Sequence, residues 1–253
     1  MKCDMKSQKS SLMTILSLAM MMILICSVPG MAQEKLLPPG QYISEGGWGQ
    51  LFIKQGRDGA LMFSIKAVVG NAHACDLEGR IRNGMASLKE EGMGKACIVT
   101  FSYQGNGVNV TSDGGDDCRY YCGARANFEG FYLKPLPGCG QADLRKTRNE
   151  FKKLYDKKNY AQARLKLEAV LKDCAKTMDW LELGWVRNDL AVTQYKLLDF
   201  VACRKTLQPL AGDAAKTKDQ IFEAYPPADA ESYMPIVNAA RANLKLCNQG
   251  IKK

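Results

Sequence analysis

YDKKNYAQARLKLEAV at 155–170 and YKLLDFVACRKTLQPL at 195–210 are two copies of one pattern, forty residues apart. In each copy a helix ends in a charged turn and an aromatic follows, Tyr160 or Phe200. A small residue comes three positions later (Ala163, Cys203), then an apolar one four further on (Leu167, Leu207) and another three beyond (Val170, Leu210). A period of roughly 34–40 residues is the mark of stacked helical hairpins, each unable to bury its apolar face alone. Such stacks hold partners and rarely do chemistry, so the pattern predicts a binding protein.

The same one-sided apolar spacing extends outward from the two copies. Leu144, Phe151, Leu154 and Tyr155 predict a helix over 141–158, and further helices are expected at 160–175, 183–198 and 200–215, the last bent at Pro209. KTKDQIFEAYPPADA then interrupts, with Pro226 and Pro227 ending any helix, and Ile236, Val237, Ala240, Leu244 and Cys247 resume the stripe over 234–248.

Upstream the composition changes. From Leu51 short alternating segments dominate (LFIKQ, ALMFSIKAVV, LEGRIR, ASLKE, CIVTFSY, VNVTS, FEGFYL), separated by Gly or Asn turns. RNGMA at 82–86 carries the Asn-Gly pair that supplies the positive φ angles of a two-residue hairpin. The expectation is an antiparallel meander of about seven strands, either a small barrel or a sandwich. LKPLPGCG, with its prolines and glycines, marks the boundary. Residues 33–140 hold 11 Lys+Arg and 11 Asp+Glu, against 21 and 14 in 141–253, so the helical half carries the positive charge.

Lys2, Lys6 and Lys9, the apolar stretch Ser11–Ile25 and small residues up to Ala32 read as an export signal over 1–32. The apolar run is short for a span, which takes about twenty residues, although retention as an anchor is the alternative. Bulky Leu24 and Ile25 before Cys26 argue against lipidation. Removing 1–32 leaves eight cysteines: 75, 97, 118, 122, 139, 174, 203 and 247. An even number after an export signal reads as a disulfide framework in the periplasm or outside the cell. With no CxxC pair and a single histidine, zinc ligation is disfavoured. Antiparallel helix packing predicts Cys139–Cys174, both at one end of the first hairpin, and Cys203–Cys247. Cys75–Cys97 with Cys118–Cys122 then completes the set, provided CRYYC turns.

CRYYCGARANFEGFY (118–132), with NAHACDLEGRI and CIVTF, resembles a Cys-rich β domain of exported bacterial envelope proteins, sometimes found beside lysozyme-inhibitor-like domains, over residues 40–139. NDLAVTQYKLLDFVAC resembles tetratricopeptide repeats, over about 143–249. The first repeat departs from that pattern at Phe151, where a small residue is usual, and the third is a single helix. The second resemblance implies a groove, lined by the first helix of each repeat, that grips a protein segment. On this chain that face would include Lys152, Arg187, Asn188, Gln194 and Asn238; the other reading makes them ordinary solvated surface.

Catalytic readings are thin. His73 is the only imidazole and lies two residues before Cys75, where a packed structural role is expected. Glu78 and Glu129, in matched LEG and FEG settings, would cleave a glycosidic bond only if brought within about 5–9 Å. SDGGDDC at 112–118 lacks the ligand alternation of a calcium loop. No cofactor is expected. Export and the lack of aromatic-interleaved basic motifs argue against nucleic acid, leaving open an anionic cell-wall polymer, a membrane surface or a protein partner, either acidic or a cell-wall hydrolase. The sequence thus predicts an α+β chain of two domains: a disulfide-stapled antiparallel β barrel or sandwich at 33–139, then a short tetratricopeptide-like solenoid at 140–253. Its expected function is non-enzymatic binding as an envelope adaptor; the alternative is an inhibitor or immunity protein against a lysozyme-like hydrolase, and the third a glycan-cleaving enzyme.

Overall fold

The structure is a computed structural model that describes residues 37–113 and 115–251; the segment read as an export signal lies outside the described residues. Eight antiparallel strands come first: β1 (Gly40–Ser44), β2 (Gly49–Gln55), β3 (Leu61–Val69), β4 (His73–Ile81), β5 (Met85–Leu88), β6 (Cys97–Gln104), β7 (Gly107–Ser112) and β8 (Gly130–Leu133). Their order in one sheet is β4-β3-β2-β1-β8-β7-β6-β5. The two outer strands meet through the Asn83-Gly84 turn, both residues at positive φ, and the bridge Arg82↔Met85. The sheet therefore curls into a nearly closed barrel, not a sandwich. At the seam, Leu88 lies directly over Gly79, where a Cβ would overlap its side chain.

Strand alternation fills the barrel: Tyr42, Leu51, Ile53, Phe63, Ile65, Leu77, Val99, Phe101, Val108, Val110 and Tyr132 are all buried in one cluster. The strand absent from the sequence reading is β1. Five residues give too little alternation to recognise, but pairing on both sides, Tyr42 with Leu51 and Ser44 with Tyr132, makes it the strand that joins the two halves of the sheet.

The barrel disulfides are Cys75–Cys122 and Cys97–Cys118, with Cα separations of 4.1 and 4.7 Å, which corrects the expected Cys75–Cys97 and Cys118–Cys122. The strand β5 lies between β4 and β6 at the closure, and strands two apart are about 10 Å from each other, too far for a bridge. CRYYC does turn, as the 3₁₀ segment Asp116–Tyr121, but positions four apart on three residues per turn point about 120° away from each other. Cys118 faces β6, and Cys122 pairs across from Cys75 on β4.

Six helices follow: α1 (Gln141–Asp156), α2 (Tyr160–Asp173), α3 (Trp180–Lys196), α4 (Phe200–Ala215), α5 (Lys218–Ala224) and α6 (Pro227–Ile251). The forty-residue copies are built alike, bond for bond. Lys158 and Leu198 take φ of 61° and 63°, and their N–H groups donate to Tyr155 and Tyr195 carbonyls at 2.9 Å. Asn159 and Asp199 cap the next helices, accepting from Gln162 N–H and Ala202 N–H. Tyr155 packs on Tyr160 and Tyr195 on Phe200. Ala163, Leu167 and Val170 are buried, as are Cys203, Leu207 and Leu210.

Two disulfides tie this half, Cys139–Cys174 and Cys203–Cys247, the pairing that helix packing predicts. The interruption after α4 is itself a short helix, α5, started by a capping box between Thr217 and Gln220. Pro227, expected to end a helix, instead stands first in α6, where its missing N–H has no bond to make. Strands and helices meet at the loop after β1. Gly46 N–H donates to Lys176 C=O at 2.7 Å, and Gly47, at φ +72°, lies so close to Met178 and Asp179 that a Cβ would overlap their backbone.

Candidate functional site

The first helix of each copy, α1 and α3, lines a hollow of about 610 Å³. Its α1 wall is Arg145, Arg148, Asn149, Phe151, Lys152, Tyr155 and Asp156; Glu182, Asp189 and Val192 come from α3. The spacing explains the face: 145, 148, 149, 152, 155 and 156 follow the i, i+3, i+4, i+7 ladder of one helix side, and 182, 189 and 192 do the same on α3.

Phe151 is buried at the base, with Tyr155 packed on it at a centroid distance of 5.7 Å. Arg148 Nη2 donates to Asp189 Oδ2 at 3.0 Å, clamping α1 to α3. Burial raises the Asp189 carboxyl above its ordinary range, and Arg148 opposes that rise, so the ion pair works against desolvation. Lys152 Nζ donates to Asp156 at 2.8 Å on the rim. Behind the helix, Glu150 is held below the usual carboxylate range by its hydrogen bond from Lys166 Nζ, which ties α1 to α2. Among the described residues, the Arg145 guanidinium, the Asn149 amide and the Glu182 carboxylate have no protein partner. They leave the hollow with donors on one wall and an acceptor on the other.

Of the face expected from sequence, the structure brings only Lys152 to the hollow. Arg187 turns toward α4 and donates to Thr206 C=O at 3.3 Å; burial lowers its pKa. Asn188 is buried, donating to Gly184 and Ile236 carbonyls at 3.1 and 3.2 Å, and so joins α3 to α6. Gln194 is buried as well, accepting from Thr206 Oγ1 at 2.8 Å. Asn238 is exposed on α6 and accepts from Arg241. Neighbours such as 187 and 188 stand about 100° apart on a helix, so they cannot share one groove face. Stepping by three and four from Lys152 would have found Arg145, Arg148, Asn149, Tyr155 and Asp156.

The tempting barrel residues are scattered. Glu78 is exposed on the outside of β4 opposite Ser64, while Glu129 is held at the end of β7, accepting from Ser112 N–H at 2.9 Å and from its hydroxyl. Three strand spacings separate β4 from β7 even by the shorter way round, about 14 Å, well beyond the 5–9 Å that paired glycosidase carboxylates need. His73 sits half-buried at the start of β4 beside Gly123. Asp117 in the SDGGDDC loop accepts from Lys95 N–H at 2.9 Å, and no group of three metal-binding side chains occurs among the described residues. No helix among the described residues is long and apolar enough to cross a membrane. No family model, no curated protein and no solved structure matches this chain.

Proposed function

We propose that this chain is an exported adaptor that holds an extended polypeptide segment in the hollow between α1 and α3, in the manner of a short tetratricopeptide-like solenoid docked on a barrel. The observation that carries the reading is the juxtaposition of unpartnered polar groups with an aromatic floor. Asn149 offers both a donor and an acceptor to a segment's backbone, and Arg145 offers a guanidinium to an acidic side chain. Tyr155 and Val192 supply apolar area between them. Because Arg148–Asp189 clamps α1 to α3 and Cys139–Cys174 ties the start of α1 to the end of α2, little ordering free energy opposes binding. Four disulfides fit an oxidising compartment, and hence a partner from the cell envelope.

The test is affinity capture from envelope extract with the chain lacking 1–32, run beside R145E/N149A. One or a few polypeptides should be retained by the parent and lost by the variant, with both giving the same circular dichroism. Equal retention by the two overturns the proposal.

A further inference from the structure

A second hollow, of about 560 Å³, lies where the barrel meets the helices; Leu181 lines it, while the next residue, Glu182, lines the α1–α3 hollow. Trp48, the end of β3 (Val68, Val69) and Gly70 line it from the barrel; Asp179, Trp180, Tyr225, Asp229 and Ser232 are among the residues lining it from the helices. Trp180, 39% exposed, stacks on Tyr225 with ring planes 7° apart and centroids 5.6 Å apart, and packs on Tyr233 at 4.8 Å. These rings are held from behind. The Tyr225 and Tyr233 hydroxyls donate to the same Asp213 carboxylate oxygen at 2.7 and 2.9 Å, and Lys216 donates to the other. The aromatic wall is therefore fixed before anything binds.

The charge of this hollow is one-sided. In a chain of net charge +9, the charged side chains lining it are two aspartates, and no Lys or Arg joins them among the described residues. Each aspartate uses one oxygen: Asp179 Oδ1 accepts from Leu181 N–H at the start of α3, and Asp229 Oδ1 accepts from Asn71 N–H at 3.1 Å. The second oxygen of each has no protein partner. An anion would be repelled by both carboxylates, and a neutral apolar group would leave them desolvated and unpaired. A cation on an apolar stem satisfies both and lies against the ring faces, which attract positive charge within about 6 Å.

We propose that the seam between barrel and helices is a binding site for an organic cation, an ammonium group on an aliphatic stem, held by Asp179 and Asp229 and flanked by Trp48 and Trp180. The stem would lie along Val68 and Val69, as the chain of a lysine side chain or of a small alkylamine does.

The experiment uses the chain lacking 1–32 and follows its indole N–H signals by NMR. Trp48 and Trp180 line the hollow, whereas Trp185 does not and serves as the internal reference. Probes are n-butylammonium, N-acetyl-lysine methylamide and, as the neutral counterpart, n-butanol. Saturable shifts of Trp48 and Trp180 are expected with both cations and not with butanol, weakened at least tenfold by D179N/D229N. Tighter binding of the lysine derivative than of butylammonium assigns the ligand to a peptide; equal binding assigns it to a small amine, and either supports the site. Equal shifts with butanol, or cation shifts that survive the double substitution, overturn it. D229N alone, which keeps the acceptor for Asn71 N–H and leaves the α3 cap untouched, gives the same decision if the double variant does not fold.

Discussion

Replacing Gly47 by alanine probes the junction on which the relation of barrel to helices depends. Two penalties add. At φ +72° an L-residue carries about 1–2 kcal/mol of left-handed strain. The new Cβ would also overlap the Met178 and Asp179 backbone, which cannot swing aside as a side chain can, and overpacking of this kind costs about 1–3 kcal/mol. The expected loss is about 2–5 kcal/mol. Gly59 is the control, since it has φ +78° but nothing within 4 Å of an added Cβ, so G59A should cost only the strain. Urea unfolding under oxidising conditions, followed by tryptophan fluorescence, gives both values. A G47A loss equal to that of G59A would refute the close approach of the β1 turn to the segment before α3.

Three further outcomes follow from the same structure. C139S/C174S opens a loop spanning 35 residues and should lower stability by about 3–4 kcal/mol in the same urea assay, by the chain-entropy account of cross-linking. For Asp213, burial pushes the pKa up, but the bonds from Lys216, Tyr225 and Tyr233 bring it to a net value below the ordinary 3.8. Its stabilisation is thus full above pH 3.8 and lost as pH falls through the lower folded value. D213N should cost about 1–3 kcal/mol at neutral pH, with the difference narrowing in acid. Tyr225, pushed up to about 12 by burial and by the Asp213 bond, should ionise at lower pH in that variant when followed by ultraviolet absorbance.

What the sequence revealed depended on how local the signal was. The helical copies were legible because every determinant lies within sixteen consecutive residues: the aromatic, the cap at Asn159 or Asp199, and the buried triplet after it. Helix packing was also enough to pair Cys139 with Cys174 and Cys203 with Cys247, since the ends of neighbouring antiparallel helices are adjacent. The barrel disulfides were not legible, because they depend on which strands β5 separates once the sheet has closed, a long-range fact. β1 went unseen for a related reason: its five residues become a strand by pairing on both sides. α5 had a local signal, the Thr217–Gln220 capping box, masked by the prolines that follow. For the α1–α3 hollow the sequence reading reached only Lys152 on α1, and the residues it assigned on α3 lie elsewhere. Arg187, Asn188 and Gln194 look like surface residues by type, yet they are drawn inward by polar partners on α4 and α6 that only the tertiary structure supplies.

If the α1–α3 hollow holds the partner, site-specific photo-crosslinking from its rim captures that partner. Benzoylphenylalanine is placed either at Lys152, on the rim of the hollow, or at Tyr120, exposed on the barrel's 3₁₀ turn, and the chain is irradiated in envelope extract. A discrete crosslinked polypeptide is expected from position 152, abolished by R145E, and none from position 120. A crosslink from position 120 with none from 152 would contradict this and move the binding function to the barrel.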